Sequence, residues 1–340
     1  MRRLAQLADP YIALLLATVL LAVFLPASGG VATGLGWSTK AAVGLIFFLY
    51  GARLSTREAL DGMRHWRLQL FVVLCTFAAF PLLGLATQAL VPYALTPGLQ
   101  AGLLFLCLVP STIQSSIAFT SVARGNVPGA ICAGTYSSLL GMVATPLLAA
   151  WLIGGDTGIG ADGLVGIVGQ LLAPFVAGQL LRRWIGGFLT RHHRILSFVD
   201  RGSVLLVVYT AFSQGMVQGI WGQITPLRLL ALLGVEAALL ALMLTLTWYG
   251  SGRLGFSRPD RVVSVFAGSN KSLAAGLPMA SVLFGAHASL AALPLMLFHQ
   301  MQLIVCAFLS RRWAGSTSQV RATGEAGRAG AGSSELARTP

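Results

Sequence analysis

A chain of 340 residues with 56% hydrophobic and only 10% charged side chains cannot cover a single aqueous core with polar surface. Soluble chains carry roughly a quarter charged residues, so the bilayer is the solvent here, and a cytoplasmic enzyme, a disulfide-rich secreted module and a disordered tail protein are excluded. The net charge of +13 would suggest nucleic acid only if the basic residues shared a surface, and they fall instead between apolar stretches.

In chain order, stretches long enough to cross about 30 Å of hydrocarbon, roughly 20 residues each, occupy residues 10–28, 38–54, 68–91, 98–123 and 127–153, then 163–184, 200–219, 228–250, 261–285 and 289–310. Arg2 and Arg3 precede the first as they would a signal peptide, but Pro26-Ala27-Ser28 is a poor cleavage site, and the segment reads as a retained span. Cytoplasmic loops accumulate Lys and Arg. With ten spans and both termini inside, the inside segments hold every one of the 23 basic residues except Lys40, Arg228 and Lys271. Arg53, Arg57, Arg64 and Arg67 fill one such loop, and Arg182, Arg183, Arg191, Arg194 and Arg201 fill another. The charge therefore reports topology, and no nucleic-acid partner is expected. Residues 313–340 are rich in Gly, Ala, Ser and Arg without periodicity and read as a disordered cytoplasmic tail. Cys75, Cys107, Cys132 and Cys306 each sit in an apolar run and read as small core hydrophobes, so neither a metal site nor a disulfide framework is expected.

Ten spans divide into residues 1–155 and 156–312 around Asp156 and Asp162, and five spans per half invert a duplicated unit. Matching irregularities support that division. The fourth span contains Pro110-Ser111-Thr112-Ile113-Gln114-Ser115-Ser116, and the ninth contains Gly268-Ser269-Asn270-Lys271-Ser272. An offset of 156 aligns Gln114 with Asn270 and Ser116 with Ser272. Small and hydroxylated residues with Pro or Gly let a membrane helix unwind, and the freed backbone groups then need a ligand or a protein partner. Paired discontinuous helices mark the midplane site of secondary transporters, where half-helix N-termini offer positive ends to an anion. The competing reading is that these hydroxyls only bond back to their own helices.

Lys271 is the most informative residue, because a cation at the bilayer centre costs at least about 2.5 kcal/mol and persists where it is paired or lines an aqueous cavity. It neutralises an organic anion, exchanges a proton or supplies a fixed charge; tethering to carbonyls of the broken helix is the structural alternative. His299, Gln300 and Gln302 in the tenth span place polar groups about one turn apart. Glu236 is a carboxylate well inside a span, and proton carriage, a distant partnership with Lys271 and a structural role all fit it. Gly268 to Ser272 resembles a phosphate loop, but Asn270 stands where the required glycine would be and no strand precedes it. No Ser/Lys dyad, paired aspartates or His/Glu metal pair suggests an enzyme.

Over roughly residues 8–312 the chain resembles the bile acid:sodium symporter superfamily, in its bacterial SBF-like branch, which includes the vertebrate solute carrier family 10 member 7 proteins. The likeness rests on Phe48 to Leu54, on Pro110 to Ser116 followed by Ala123-Arg124-Gly125-Asn126, on Gly268 to Ala274 and on Leu297 to Leu303. The resemblance implies an all-α membrane protein of ten transmembrane helices in two inverted five-helix repeats, with discontinuous helices four and nine crossing at their unwound centres. It implies residence in the bacterial inner membrane and binding of a small organic anion beside the crossing. Ser111, Thr112, Gln114, Ser115, Ser116, Ser269, Asn270, Lys271, Ser272, His299 and Gln300 are the candidate site residues, with a sodium ion or a proton as the coupling partner and no other cofactor. The sodium site looks incomplete: Val265 stands where the family's carboxylate would lie, and Ala130 and Gly134 stand where hydroxyls would. Lys271 is then expected to replace the sodium ion, giving transport that depends on pH more than on sodium. A cation/proton exchanger and a membrane regulatory protein without substrate flux are the alternatives.

Overall fold

Several helices start where a capping side chain is followed by proline. Thr96 Oγ1 accepts from Leu99 N at 3.2 Å, Thr225 Oγ1 from Arg228 N at 3.4 Å, Ser257 Oγ from Asp260 N at 3.4 Å and Asn126 Oδ1 from Gly129 N at 2.9 Å. Pro97, Pro226, Pro259 and Pro128 follow in the first turn, where a missing N–H costs nothing. The computed structural model describes residues 10–53, 65–153, 161–219, 222 and 225–336, and all their regular structure is helical. In order these are α1 (Pro10–Phe24), α2 (Gly29–Arg53), α3 (Trp66–Leu74), a π-helical turn (Cys75–Ala79), α4 (Phe80–Ala86), a 3-10 turn (Thr87–Leu90), α5 (Pro97–Leu108), α6 (Ile113–Val122) and α7 (Val127–Leu152). There follow α8 (Ala161–Arg191), α9 (His193–Val217), α10 (Pro226–Arg253), α11 (Arg258–Ser269), α12 (Leu273–Phe284) and α13 (Ala288–Leu336).

Among the described residues, six stretches are long and apolar enough to cross a membrane: Gly29–Arg53, Trp66–Leu90, Val127–Leu152, Arg194–Val217, Pro226–Arg253 and Ala288–Ala314. The pair α5 and α6, bent by 62° at its break, makes a seventh. The chain is a multi-pass membrane protein. Residues 10–28, 163–184 and 261–285, expected to span as well, fall on α1, α8 and the α11–α12 pair. The described residues do not add these to the count: α1 has 15 residues, α11 and α12 have 12 each, with Arg258, Asp260 and Arg261 opening α11, and the side chains of residues 161–168 of α8 lie outside the described residues. Arg2, Arg3, Arg57, Arg64 and Asp156 lie outside the described residues, as do residues 337–340 of the expected tail; the backbone of α13 continues to Leu336.

Two groups of helices frame the site. In the first, α2 packs along α8 with no room for side chains at the contact: a Cβ on Gly51 would strike the Phe175 carbonyl, and one on Gly178 would strike the Phe48 carbonyl. Small residues permit this approach where lipid supplies no hydrophobic drive. Thr39 Oγ1 donates to Thr210 Oγ1 at 2.9 Å, Arg53 bonds Asp200 at 3.2 Å and Tyr209 OH donates to Leu25 O at 2.8 Å, which ties α9 to α2 and to the end of α1. In the second group, Gly102 of α5 lies against the Leu290 and Ala291 backbone of α13, and Gly134 and Gly141 of α7 admit Ile113 and Pro110 from the α5–α6 break. Asn126 closes this group at one end: its N donates to Pro259 O at 3.2 Å and its Nδ2 to Asp260 Oδ1 at 2.7 Å. The preceding turn is tight enough to hold Arg124 at a φ of 56°.

Candidate functional site: the junction of two helix breaks

Prolines open both the first break and the turn that faces it. Pro110 has no N–H to return to Leu106 O, so Val109 N takes that carbonyl at 3.4 Å and α5 stops. Ser111 N, the donor that a continuing helix would give Cys107 O, goes to Ser137 Oγ on α7 at 2.8 Å. Thr145 Oγ1 of α7 supplies Leu108 O at 2.8 Å. In the π turn, Phe80 N bonds Cys75 O, and the next donor in π register to Thr76 O would come from residue 81, which is proline. The carbonyls of Thr76 and Cys107 are thereby stripped of their helical donors.

The second break is tied to the first through main-chain groups. Ser272 N donates to Pro110 O at 2.8 Å, Ser111 Oγ to Ala267 O at 2.6 Å and Ser116 Oγ to Phe266 O at 3.2 Å. The peptide groups of residue 271 are bracketed by one side chain of α13: Lys271 N donates to Gln302 Oε1 at 2.7 Å, and Gln302 Nε2 donates to Lys271 O at 2.8 Å. His299 Nδ1 stands 3.2 Å from the same carbonyl. Asn270 accepts from Cys306 Sγ at 3.3 Å, and its Nδ2 lies 3.5 Å from Ser115 Oγ.

At the centre is the Lys271 ammonium, fully buried. It donates to Thr76 O at 3.0 Å, Cys107 O at 2.8 Å and Val109 O at 2.9 Å, and it sits 4.1 Å from the Phe80 ring centroid. A lysine has three donors, and all three are used. The side chain thus occupies a cage of carbonyl oxygens closed by an aromatic face, the kind of site that holds a small cation. The tether is to backbone carbonyls, but to those of the π turn and the first break and not of the lysine's own broken helix; these contacts leave no ammonium donor for a ligand in this conformation.

The structure brings together Ser111, Ser115, Ser116, Asn270, Lys271, Ser272 and His299. Ser269 Oγ bonds back to Val265 O at 2.6 Å. Ser111, Ser116, Ser269 and Asn270 are buried with Lys271, whereas Thr112, Ser115, Ser272, His299 and Gln300 are half-buried and Gln114 is exposed. No side-chain hydrogen bond among the described residues ties Gln114 or Gln300 to the junction, and Thr112 caps no amide of α6. Sequence reasoning did not place Thr76, Val109, Ser137 or Thr145 at the site, and read Cys107 only as a small core hydrophobe. Most of these contribute carbonyls, which carry no residue signature; the signal available was the prolines at 81 and 110. Gln302 was visible from its one-turn spacing to His299.

The sequence matches the model of the SBF-like CPA transporter family over residues 9–315, a stretch that holds both breaks and the whole lysine cage. The chain belongs to this family. Among SBF-like relatives, an uncharacterized protein of Pseudomonas aeruginosa, PA2026, is 53% identical over 92% of this chain and 95% of its own length. YfeH of Escherichia coli strain K12, whose name proposes a symporter, is 43% identical over 95% of this chain and 98% of its own. Sodium/bile acid cotransporter 7 of Mus musculus is 29% identical over 78% of this chain and 79% of its own. Membership makes the protein a membrane transporter by family, in line with the sequence reading.

Proposed function

We propose that this SBF-like protein is a secondary active transporter that carries a small organic anion across the bacterial inner membrane by alternating access, with the lysine ammonium in the place of a coupling sodium ion. In this reading the chain crosses ten times with both termini cytoplasmic, residues 1–155 and 156–312 are inverted repeats, and α5–α6 crosses α11–α12 at the breaks. A contact between positions separated by the repeat offset supports that arrangement: Ser111 bonds Ala267, 156 residues apart. The substrate docks beside the breaks, where the first amides of α6 lack helical partners and Gln114 and Ser115 flank them.

The observation that carries the reading is the caged ammonium. It places one fixed positive charge among carbonyls, hydroxyls and amides at the junction, which favours an anion and disfavours a transported cation. A cation/proton exchanger would need a carboxylate there, and the described junction residues include none. Sodium does not fit the family positions either. Val265 and Ala130 are buried apolar side chains, and at Gly134 a Cβ would lie 2.9 Å from Ile113 Cγ1, so no hydroxyl can be housed without moving Ile113. The relatives named for sodium/bile acid cotransport suggest steroid anions as first probes.

The test is a thermal-shift screen of the purified protein against carboxylates, sulfonates and taurocholate, followed by uptake of any stabilising anion into proteoliposomes. Saturable accumulation of an anion is expected. Stabilisation by cations alone, or turnover at channel rates, would overturn the assignment.

A further inference from the structure

Glu236 stands apart from every hydrogen-bond network described above. It is fully buried on α10, and neither carboxyl oxygen has a hydrogen-bond partner. It lies about 15 Å along the helix from Pro226, well below the membrane surface. Buried carboxyls held for structural reasons are paired or hydrogen-bonded, because an orphaned one costs free energy that packing alone does not return. Intramembrane ionisable residues without such a role mark ion and proton pathways.

No ion pair among the described residues joins Glu236 to the lysine cage, where Lys271 Nζ is saturated by carbonyls. Among the other helices packed on α10, α11 carries Arg258, Asp260 and Arg261 at its first turn, where Arg261 stacks on Trp248, about 18 Å along α10 from Glu236. From α13, His299 and Cys306 are turned to residues 271 and 270, and Cys75 in the π turn stands beside Gly268.

We propose that the Glu236 carboxyl is the proton-binding site that couples transport, so that one proton travels with each anion. The inference rests on the anion-transport reading above and deepens it by naming the coupling ion. The exchange is a simple protonation: a proton from one side adds to the carboxylate oxygen, and the same O–H bond breaks toward the other side. With the proton bound, the junction carries the ammonium charge alone and attracts an anion. With the proton released, the carboxylate offsets that charge and the anion leaves. A carrier that binds the two together and releases them together is a symporter, and it needs no sodium.

Two measurements test it, one of which needs no substrate. Infrared difference spectra of the protein in nanodiscs, titrated with pH, should contain a carboxylic-acid carbonyl band that is missing in Glu236→Gln. In sodium-free proteoliposomes given external taurocholate as the probe, acidifying the outside should accelerate wild-type uptake at least about tenfold, the equivalent of 1.4 kcal/mol. Glu236→Gln should move taurocholate at a rate that no longer changes with pH, and Glu236→Asp should restore the dependence. Absence of the band difference, or a Glu236→Gln pH profile like the wild type's, overturns the proposal. If taurocholate and the other anions do not move at all while the band is present, the anion reading fails and Glu236 stands as a proton site.

Discussion

Replacing Lys271 by methionine keeps the length and most of the volume of the side chain but removes its three donors. The carbonyls of Thr76, Cys107 and Val109, at 3.0, 2.8 and 2.9 Å from Nζ, then face an apolar group, and the helical donors that would have satisfied Thr76 and Cys107 are already committed elsewhere. Each buried orphan costs about 1–3 kcal/mol. Three of them sum to more than the net loss expected, because burying the ammonium is itself costly; the net for breaking such a site is about 3–5 kcal/mol. The four cysteines are buried and none is in a disulfide, so a thiol-reactive dye reports unfolding of the purified protein directly. Lys271→Met should melt well below the wild type, and Lys271→Arg should not rescue it, because the branched guanidinium overfills the cage. A Lys271→Met protein within about 0.5 kcal/mol of the wild type, the range of ordinary surface substitutions, would refute the claim that the ammonium holds the breaks together.

Other substitutions probe the same frame. Gln302→Leu removes both bonds that bracket residue 271, at 2.7 and 2.8 Å, and should cost about 2–4 kcal/mol in the same melt; Gln302→Glu, which keeps the acceptor but not the donor, should lose less. Gly134→Ser should lower stability by about 1–3 kcal/mol through overpacking against Ile113, and Ile113→Ala in the same chain should return part of it; an unchanged melt for the single variant would show that the site can hold a hydroxyl. Gly178→Ala should cost more than about 2 kcal/mol, because the obstacle is the rigid Phe48 carbonyl and not a movable side chain, and a trypsin digest should show α2 and α8 parted.

Much of this was legible in the sequence because membrane helices obey few rules. The apolar segments, the matched polar interruptions and a lysine at the second break follow from hydropathy and from the cost of a charge in lipid, and both breaks fall where Pro110 and the residues around Asn270 put them. What the lysine does was not legible. Its partners are three carbonyl oxygens, and whether a carbonyl is available depends on where its helical donor has gone: Ser111 N to Ser137, Phe80 N to Cys75. Polarity alone does not say which side chains meet at the junction: Asn270 and Gln302 hydrogen-bond there, whereas Gln114 is exposed and Gln300 half-buried. The second break is legible from its polarity more than from its length, since the pieces flanking Asn270 have 12 residues each and α11 opens on Arg258, Asp260 and Arg261.

The central claim, that the Lys271 ammonium takes the place of a sodium ion among three carbonyls, is tested most directly by isothermal titration of sodium chloride into the purified protein, with choline chloride as the control. The account predicts no saturable sodium binding to the wild type and its appearance in Lys271→Ala, whose emptied cage offers the same oxygens to a monovalent cation. Stoichiometric sodium binding by the wild type would contradict it.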